Sequence, residues 1–246
     1  MRALILFASI LLTLSANAET TLNVFGPGGP APAMKNCAEA FGKEKKVKVN
    51  VTAGPLEKWE SQVGTADLFY SGSENMMDSF QEKISSLDGA TIQTHYIRPS
   101  AILVRPKNPE KIKGVKDLVD RKLKVMVVNG AGQVGMWEDI VGRMQSAKAL
   151  SKFRANIVYA AKNTGEAEKK WNEDKSIDAW LVFNIWGTRN PETAEIVKTE
   201  PELTIYRSMG TALAKSTKQK SLVEEFVKFI EADSCKKMFA REGWSQ

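Results

Sequence analysis

The sequence has one histidine and two cysteines among its 246 residues. His95 therefore excludes a metal centre built on several histidines, and it is the one histidine that a Ser-His-Asp triad could use. No nucleophile motif surrounds it, so we predict a structural role for His95. Cys37 and Cys235 have neither C-x-x-C nor metal-site spacing. These scarcities predict a protein that is not an enzyme and needs no cofactor.

Long apolar runs are also missing, apart from one at the start of the chain. Residues 3–14 are almost entirely apolar, and they lie between Arg2 and the small-residue triplet 16–18. This run is shorter than the roughly 20 residues that span a bilayer, and a polar segment follows it. We predict that residues 1–18 form a cleavable secretory signal and that the mature protein has no stable membrane insertion.

Export would place both cysteines in an oxidising compartment. Cys37 and Cys235 lie near opposite ends of the mature chain. Two interpretations stay open at the level of sequence. The pair either forms a disulfide that ties the terminal segment to the first helix, or it remains as two buried thiols.

The sequence has no arginine-rich strip interleaved with aromatic residues. Its formal charge of +6 comes from lysines scattered among glutamates, as in segments 39–48 and 166–175. This pattern is typical of a solvated basic surface, which favours anionic partners weakly and predicts no nucleic-acid binding.

The order of apolar patterns predicts an α/β fold. A β-prone run at 21–26 is followed by a glycine turn, a helical pattern at 31–43 and an alternating strand at 47–51. Similar units recur along the chain, which predicts a mostly parallel sheet covered by helices. Further predicted helices are 57–63, 74–83, 115–120, one from 133 or 135 to about 145, 165–172 and 221–240, and further strands are 66–70, 124–128, 156–159 and 179–183.

Two extended stretches, near residues 98–103 and 203–209, resemble crossovers between two lobes. They predict one lobe from residues 19–101 and 205–246 and a second from 102–204. Such a division builds the first lobe from both ends of the chain.

Three turns follow predicted strands at positions where backbone N–H groups can approach a ligand. Glycine and hydroxyl residues in these turns leave room for that approach. The candidates for ligand contact are Gly28 and Gly29, then Ser71, Gly72 and Ser73, and then Gly132 and Gln133.

Arginine can bind a carboxylate through two parallel hydrogen bonds. Arg98 lies at the first crossover beside Ser100, and Arg189 follows Asn184 in a segment rich in aromatic residues. We expect these four residues to contact the ligand. Nearby Trp180, Phe183 and Trp186 either line the ligand site or fill a core.

Several motifs together resemble one family. The segments 106–109, 112–118 and 129–135 are similar to the second lobe of type II periplasmic binding proteins of the molybdate and sulfate group. The opening 23–30 and the ending 226–230 and 239–244 resemble the accessory colonization factor C family. The resemblance implies a two-lobed, type II periplasmic binding protein-like α/β fold with two crossover strands. It also implies a periplasmic monomer that delivers its ligand to an inner-membrane ABC permease or a chemoreceptor.

The turn after the first strand departs from that group. Molybdate and sulfate binders commonly have Ser or Thr hydroxyls there, whereas this chain has Pro27, two glycines and Pro30. The arginines and tryptophans favour a small organic anion, of carboxylate, dicarboxylate or acidic amino acid type. Two alternatives stay open: a tetrahedral oxyanion such as sulfate, or an interaction factor that has kept the fold without a ligand.

Overall fold

The computed structural model describes residues 20–246 and shows a mixed α/β fold; the predicted signal at 1–18 lies outside the described residues. The strands are β1 Thr21–Gly26, β2 Lys48–Ala53, β3 Leu68–Tyr70, β4 Gln93–Val104, β5 Val125–Val128, β6 Ile157–Ala161, β7 Ala179–Phe183, β8 Glu195–Lys198 and β9 Tyr206–Leu213. The helices are α1 Ala31–Lys45, α2 Glu74–Lys83, α3 Val115–Asp120, α4 Met136–Gly142, α5 Ala147–Asn156, α6 Thr164–Glu173, α7 Ile185–Arg189, α8 Lys220–Ile230 and α9 Asp233–Arg241. Within residues 20–246, no helix is long and apolar enough to cross a membrane.

The sheet has two parallel parts joined through its two longest strands. Strand β1 pairs in parallel with β2 and β3, and β5 pairs in parallel with β6 and β7. Between these parts, β4 and β9 pair antiparallel with each other; β9 also pairs with β3, and β4 with β7 and β8. The predicted α/β class and the two extended connecting strands are confirmed. The lobe boundaries at 101 and 204 stay a prediction.

Local sequence explains the first helices. In α1 the predicted spacing buries Met34, Cys37, Ala38 and Phe41. Helix α2 begins after Ser73, whose Oγ accepts a hydrogen bond from the Met76 backbone N–H at 3.2 Å. This is an ordinary N-cap, in which a side-chain oxygen satisfies a free helical donor.

Two predictions of secondary structure are wrong. The single closing helix 221–240 is two helices, because the chain turns after Ile230, whose carbonyl accepts the Tyr96 hydroxyl at 2.5 Å. The predicted helix 57–63 is a pair of short 3₁₀ segments at 56–58 and 60–65. Helix α4 begins at Met136, directly after Gly135, which was one of its two predicted starts; Gly135 has a φ of +73° and lies outside the helical path.

The last helix packs against the first. Cys37 on α1 and Cys235 on α9 are both fully buried, and a disulfide joins them with their Cα atoms 5.5 Å apart. This cross-link connects residues separated by 198 positions in the sequence. It holds the C-terminal segment, including residues 242–245, next to β4.

Candidate functional site

Arg98 lies on β4 with 4% of its surface exposed. Its Nη2 donates a hydrogen bond to the Gly72 carbonyl at 2.8 Å. The guanidinium carbon lies 4.1 Å from the centre of the Phe183 ring and 4.7 Å from that of the Trp244 ring. Two aromatic residues and one turn thus fix the position of the guanidinium.

The charge of Arg98 is poorly compensated. Its Nε is buried and has no hydrogen-bond partner within residues 20–246. Burial, together with the nearby Arg189 guanidinium and against the opposing effect of Glu74, lowers the Arg98 pKa to about 9. A buried donor without an acceptor has lost its hydration with nothing in exchange. This is the state expected of a group that binds an anion.

Arg105, near the end of the same strand, shows what a structural arginine looks like in this protein. Its Nε, Nη1 and Nη2 donate to three backbone carbonyls at distances from 2.6 to 3.0 Å, and its guanidinium carbon lies 3.5 Å from the centre of the Trp171 ring. Arg98 makes one such bond. Arg98 therefore has more donor capacity left for a ligand than Arg105 has.

Arg189, at the end of α7, approaches the same place from the other parallel part of the sheet. Its Nη1 donates to the Gly28 carbonyl at 3.2 Å, and its Nη2 donates to the Gly29 carbonyl. Its Nε forms a 3.1 Å salt bridge with Glu242. Burial lowers the Arg189 pKa, and the hydrogen bond to Glu242 raises it. Arg189 therefore connects the turn after β1 to the C-terminal segment.

Two of the predicted glycines lie directly against Arg98. A Cβ at Gly29 would be 3.1 Å from Arg98 Nη1, and one at Gly72 would be 3.3 Å from Nη2. At Gly28 a Cβ would meet nothing within 4 Å. Gly29 and Gly72 thus leave the space that the guanidinium occupies, and the structure brings both turns to Arg98.

The hydroxyl groups in the predicted set serve the backbone. Ser71 Oγ accepts from the Gly210 N–H at 3.4 Å, and Ser73 caps α2. Ser100 Oγ accepts from the Ile205 N–H at 3.0 Å. These bonds hold the strand end and the crossovers in place; each accepting hydroxyl keeps an O–H that can donate, so contact of the three serines with a ligand stays a prediction.

Gln133 and Asn184 each use one amide atom and leave the other without a partner among the described residues. Gln133 Nε2 donates to Thr164 Oγ1 at 2.9 Å, and its Oε1 is buried. Asn184 Nδ2 donates to the Gly243 carbonyl at 2.7 Å, and its Oδ1 is buried. A side chain at Gly132 would collide with Ser73 Oγ, so this second glycine turn touches the start of α2.

The sequence analysis missed Tyr70, Glu242 and Trp244. Tyr70 ends the buried strand β3, and its phenol oxygen is buried. Glu242 and Trp244 belong to the C-terminal motif, and both touch an arginine of the site. Their presence in the motif at 239–244 was the available signal, but their distance in sequence from Arg98 concealed the contact.

The aromatic residues divide between the site and the cores. Phe183 contacts Arg98, whereas Trp180 packs against Trp171 and Trp137 stacks on Phe153. Trp186 is half-buried, and its ring centre lies 5.3 Å from the Arg189 guanidinium carbon. One wall of the site is therefore aromatic, and the other tryptophans fill hydrophobic cores.

His95 lies outside this group of residues. Its Nδ1 is 3.0 Å from Glu231 Oε1, and its Nε2 is 2.8 Å from Thr211 Oγ1. Burial lowers the His95 pKa, and the Glu231 carboxylate opposes that effect. Both ring nitrogens are used in holding β4, β9 and α8 together, as a structural histidine would be.

The arrangement is that of a periplasmic binding protein-like fold with two arginines between its parallel parts. The chain belongs to the bacterial extracellular solute-binding protein family, whose sequence model matches residues 22–245. A search of curated proteins found no significant match.

Solved structures agree with this assignment. The chain is 31% identical to PEB3 with L-phospholactate bound, at a TM-score of 0.84, over 92% of this chain and 99% of that one. PEB3 from Campylobacter jejuni gives the same identity and coverage at a TM-score of 0.83. The sulfate-binding protein SubI of Mycobacterium tuberculosis H37Rv is 13% identical at a TM-score of 0.75, over 92% and 86% of the two chains. At that identity the likeness concerns the fold.

Proposed function

We propose that this protein captures a small organic anion bearing a carboxylate, and that Arg98 and Arg189 neutralise it. One observation carries the proposal. The Arg98 guanidinium is buried, the Arg189 guanidinium beside it is partly buried, and Glu242 is the one carboxylate that forms a salt bridge with either of them within residues 20–246. An added anion would correct this excess of positive charge.

The surroundings favour an organic anion over a bare oxyanion. The Phe183 and Trp244 rings are buried against Arg98, so a carbon skeleton bound beside this guanidinium would be bordered by apolar groups. L-phospholactate, which PEB3 binds in its solved structure, has a carboxylate and a phosphate on such a skeleton. It is the natural first probe for this chain, and dicarboxylates and acidic amino acids are the others.

The fold supplies a way to enclose the ligand. We place the hinge in β4 and β9, between a lobe of residues 19–101 and 205–246 and a lobe of residues 102–204. Arg189 would then join the second lobe to the Gly28 and Gly29 carbonyls of the first. Closure of two domains around a ligand is the usual response of such hinged folds.

The proposal includes location and partners. The apolar start of the chain and the extracellular family support export to the periplasm through a cleaved signal. We propose binding without turnover, followed by delivery to an ABC permease or a chemoreceptor. The motifs at both ends of the mature chain support the accessory colonization factor C branch of the family.

The test is a binding screen with residues 19–246 that have been unfolded in guanidinium and refolded, which removes bound ligand while keeping the disulfide. L-phospholactate, L-malate, L-glutamate and sulfate are each tested by thermal shift and titration calorimetry. A ligand at 100 times its Kd should stabilise the fold by about 2.7 kcal/mol.

Binding of L-phospholactate, L-malate or L-glutamate supports the proposal. Binding of sulfate alone would replace it with an oxyanion-binding function. If the folded protein binds none of the four, it would be better explained as an interaction factor on a binding-protein fold.

A further inference from the structure

Tyr70 ends β3 immediately before the turn that holds Arg98. The residue is completely buried, and its Oη has no hydrogen-bond partner among the described residues. Two positions later, the Gly72 carbonyl accepts the hydrogen bond from Arg98 Nη2. The phenol therefore comes from the same short segment as a known contact of the candidate site.

The ring of Tyr70 is fixed by its neighbours. A Cβ at Gly26 would be 2.6 Å from both Cδ atoms of the ring, so the absence of a side chain at Gly26 provides the space that the ring occupies. Within the sheet, the backbone of Tyr70 pairs with that of Thr211 on β9. Packing therefore fixes the position of the hydroxyl, and the hydroxyl lacks a hydrogen-bond partner among the described residues although it is shielded from solvent.

The charges around Tyr70 indicate what its hydroxyl can bind. Burial raises the Tyr70 pKa, and the neighbouring Arg189 guanidinium opposes this effect. The phenol therefore stays protonated at neutral pH and can donate. Arginine has no acceptor atoms, so the arginines cannot receive this proton. An anionic oxygen placed between the guanidinium groups can.

We propose that the Tyr70 hydroxyl donates a hydrogen bond to the anionic group of the ligand and, with Arg98 and Arg189, orients it. This inference rests on the proposed function. Tyr70 is then a neutral donor beside two cations. Its hydrogen bond would fix the orientation of the ligand, whereas charge alone would attract anions in many orientations.

The test replaces Tyr70→Phe and uses Tyr96→Phe as its matched control. Each change removes one buried hydroxyl from the same kind of ring. Tyr96 Oη donates to the Ile230 carbonyl at 2.5 Å, whereas Tyr70 Oη has no such partner within residues 20–246. Both variants and the wild type are refolded free of ligand, then titrated calorimetrically with L-phospholactate, L-malate, L-glutamate and sulfate. Their melting temperatures are measured without ligand.

For Tyr70→Phe we expect affinity to fall about 10- to 100-fold, as for loss of a hydrogen bond to a charged group, while the ligand-free melting temperature stays or rises. For Tyr96→Phe we expect a lower melting temperature and an affinity within about twofold of wild type, because an internal bond is lost away from the site.

The possible failures are distinct. Wild-type affinity in Tyr70→Phe would overturn the inference and leave the proposed function standing. A ligand-free melting temperature lowered as much as in Tyr96→Phe would show that Tyr70 has a structural role instead. If the wild type binds none of the four anions, the inference fails together with the proposed function.

Discussion

Replacing Arg98→Met separates binding from stability. Methionine fills much of the arginine volume and carries no charge. The fall in the Arg98 pKa from 12.5 to about 9 corresponds to on the order of 5 kcal/mol against the charged form. Loss of the two aromatic contacts and of the bond to Gly72 costs about 4 to 6 kcal/mol in the opposite direction. These magnitudes nearly cancel.

We therefore expect the ligand-free Arg98→Met protein to unfold in urea with a free energy within about 2 kcal/mol of wild type. Its affinity for the anion that the wild type binds should fall by at least about 100-fold, because a buried charge partner is lost. Urea unfolding followed by tryptophan fluorescence and titration calorimetry measure the two quantities on the same samples.

Arg105→Met is the matched control. It leaves three backbone carbonyls without their donors, so it should lower the free energy of unfolding by about 3 kcal/mol or more. Ligand affinity should stay near that of wild type. The reasoning would be refuted if Arg98→Met destabilised the protein as much as Arg105→Met, or if it still bound the anion normally.

Three further predictions concern other parts of the molecule. Gly29→Ala should weaken anion binding about tenfold by calorimetry, whereas Gly28→Ala should change it less than twofold. Only the methyl group at position 29 would press on the Arg98 guanidinium. Equal effects of the two substitutions would contradict this prediction. In the Cys37→Ala/Cys235→Ala double variant, the free energy of unfolding in urea should fall by up to about 5 kcal/mol, as expected for a cross-link over 198 positions. A fall below about 1 kcal/mol would argue against a stabilising disulfide. Burial keeps the His95 pKa below its unfolded value of about 6.5, so the unfolded chain binds the proton first as the pH falls. The stability that neutral His95 contributes is therefore complete above about pH 6.5 and decreases below it. For His95→Gln, the free energy of unfolding in urea should fall less steeply between pH 7 and 5 than it does for the wild type. Identical pH profiles would refute the last prediction.

The sequence predicts best the elements whose signals are local. Helices α2 and α3 and strand β7 have the predicted bounds, because caps, turns and runs of apolar residues lie within each segment. Helix α5 and strand β8 were not predicted, and the closing helix was predicted without its break. At that break the Ile230 carbonyl accepts a hydrogen bond from Tyr96, a long-range contact that no local pattern contains.

Some residues of the site could also be predicted from the sequence, and others could not. Arg98 is recognisable as an arginine in an extended, largely apolar segment, and the glycines next to it are recognisable as turns. The backbone hydrogen bonds of the serines were not recognisable, because a hydroxyl after a strand suits a ligand and a backbone N–H equally well. Tyr70 and Trp244 were missed because apolar sequence context indicates burial, and it does not indicate which buried polar atom lacks a partner.

The buried polar groups of this region include two kinds, and the difference between them supports the proposed function. Ser71, Ser100 and Arg105 each bond to the backbone, which is the normal condition of buried polar atoms. Arg98 Nε and Tyr70 Oη are buried without partners among residues 20–246; the charged guanidinium can only donate, and the protonated phenol has an O–H donor that is unused. Unpaired donors concentrated beside two guanidinium groups cost stability that ordinary packing would avoid. A ligand that accepts these hydrogen bonds and brings negative charge would offset that cost, so the same atoms that make the ligand-free site unfavourable would make binding favourable.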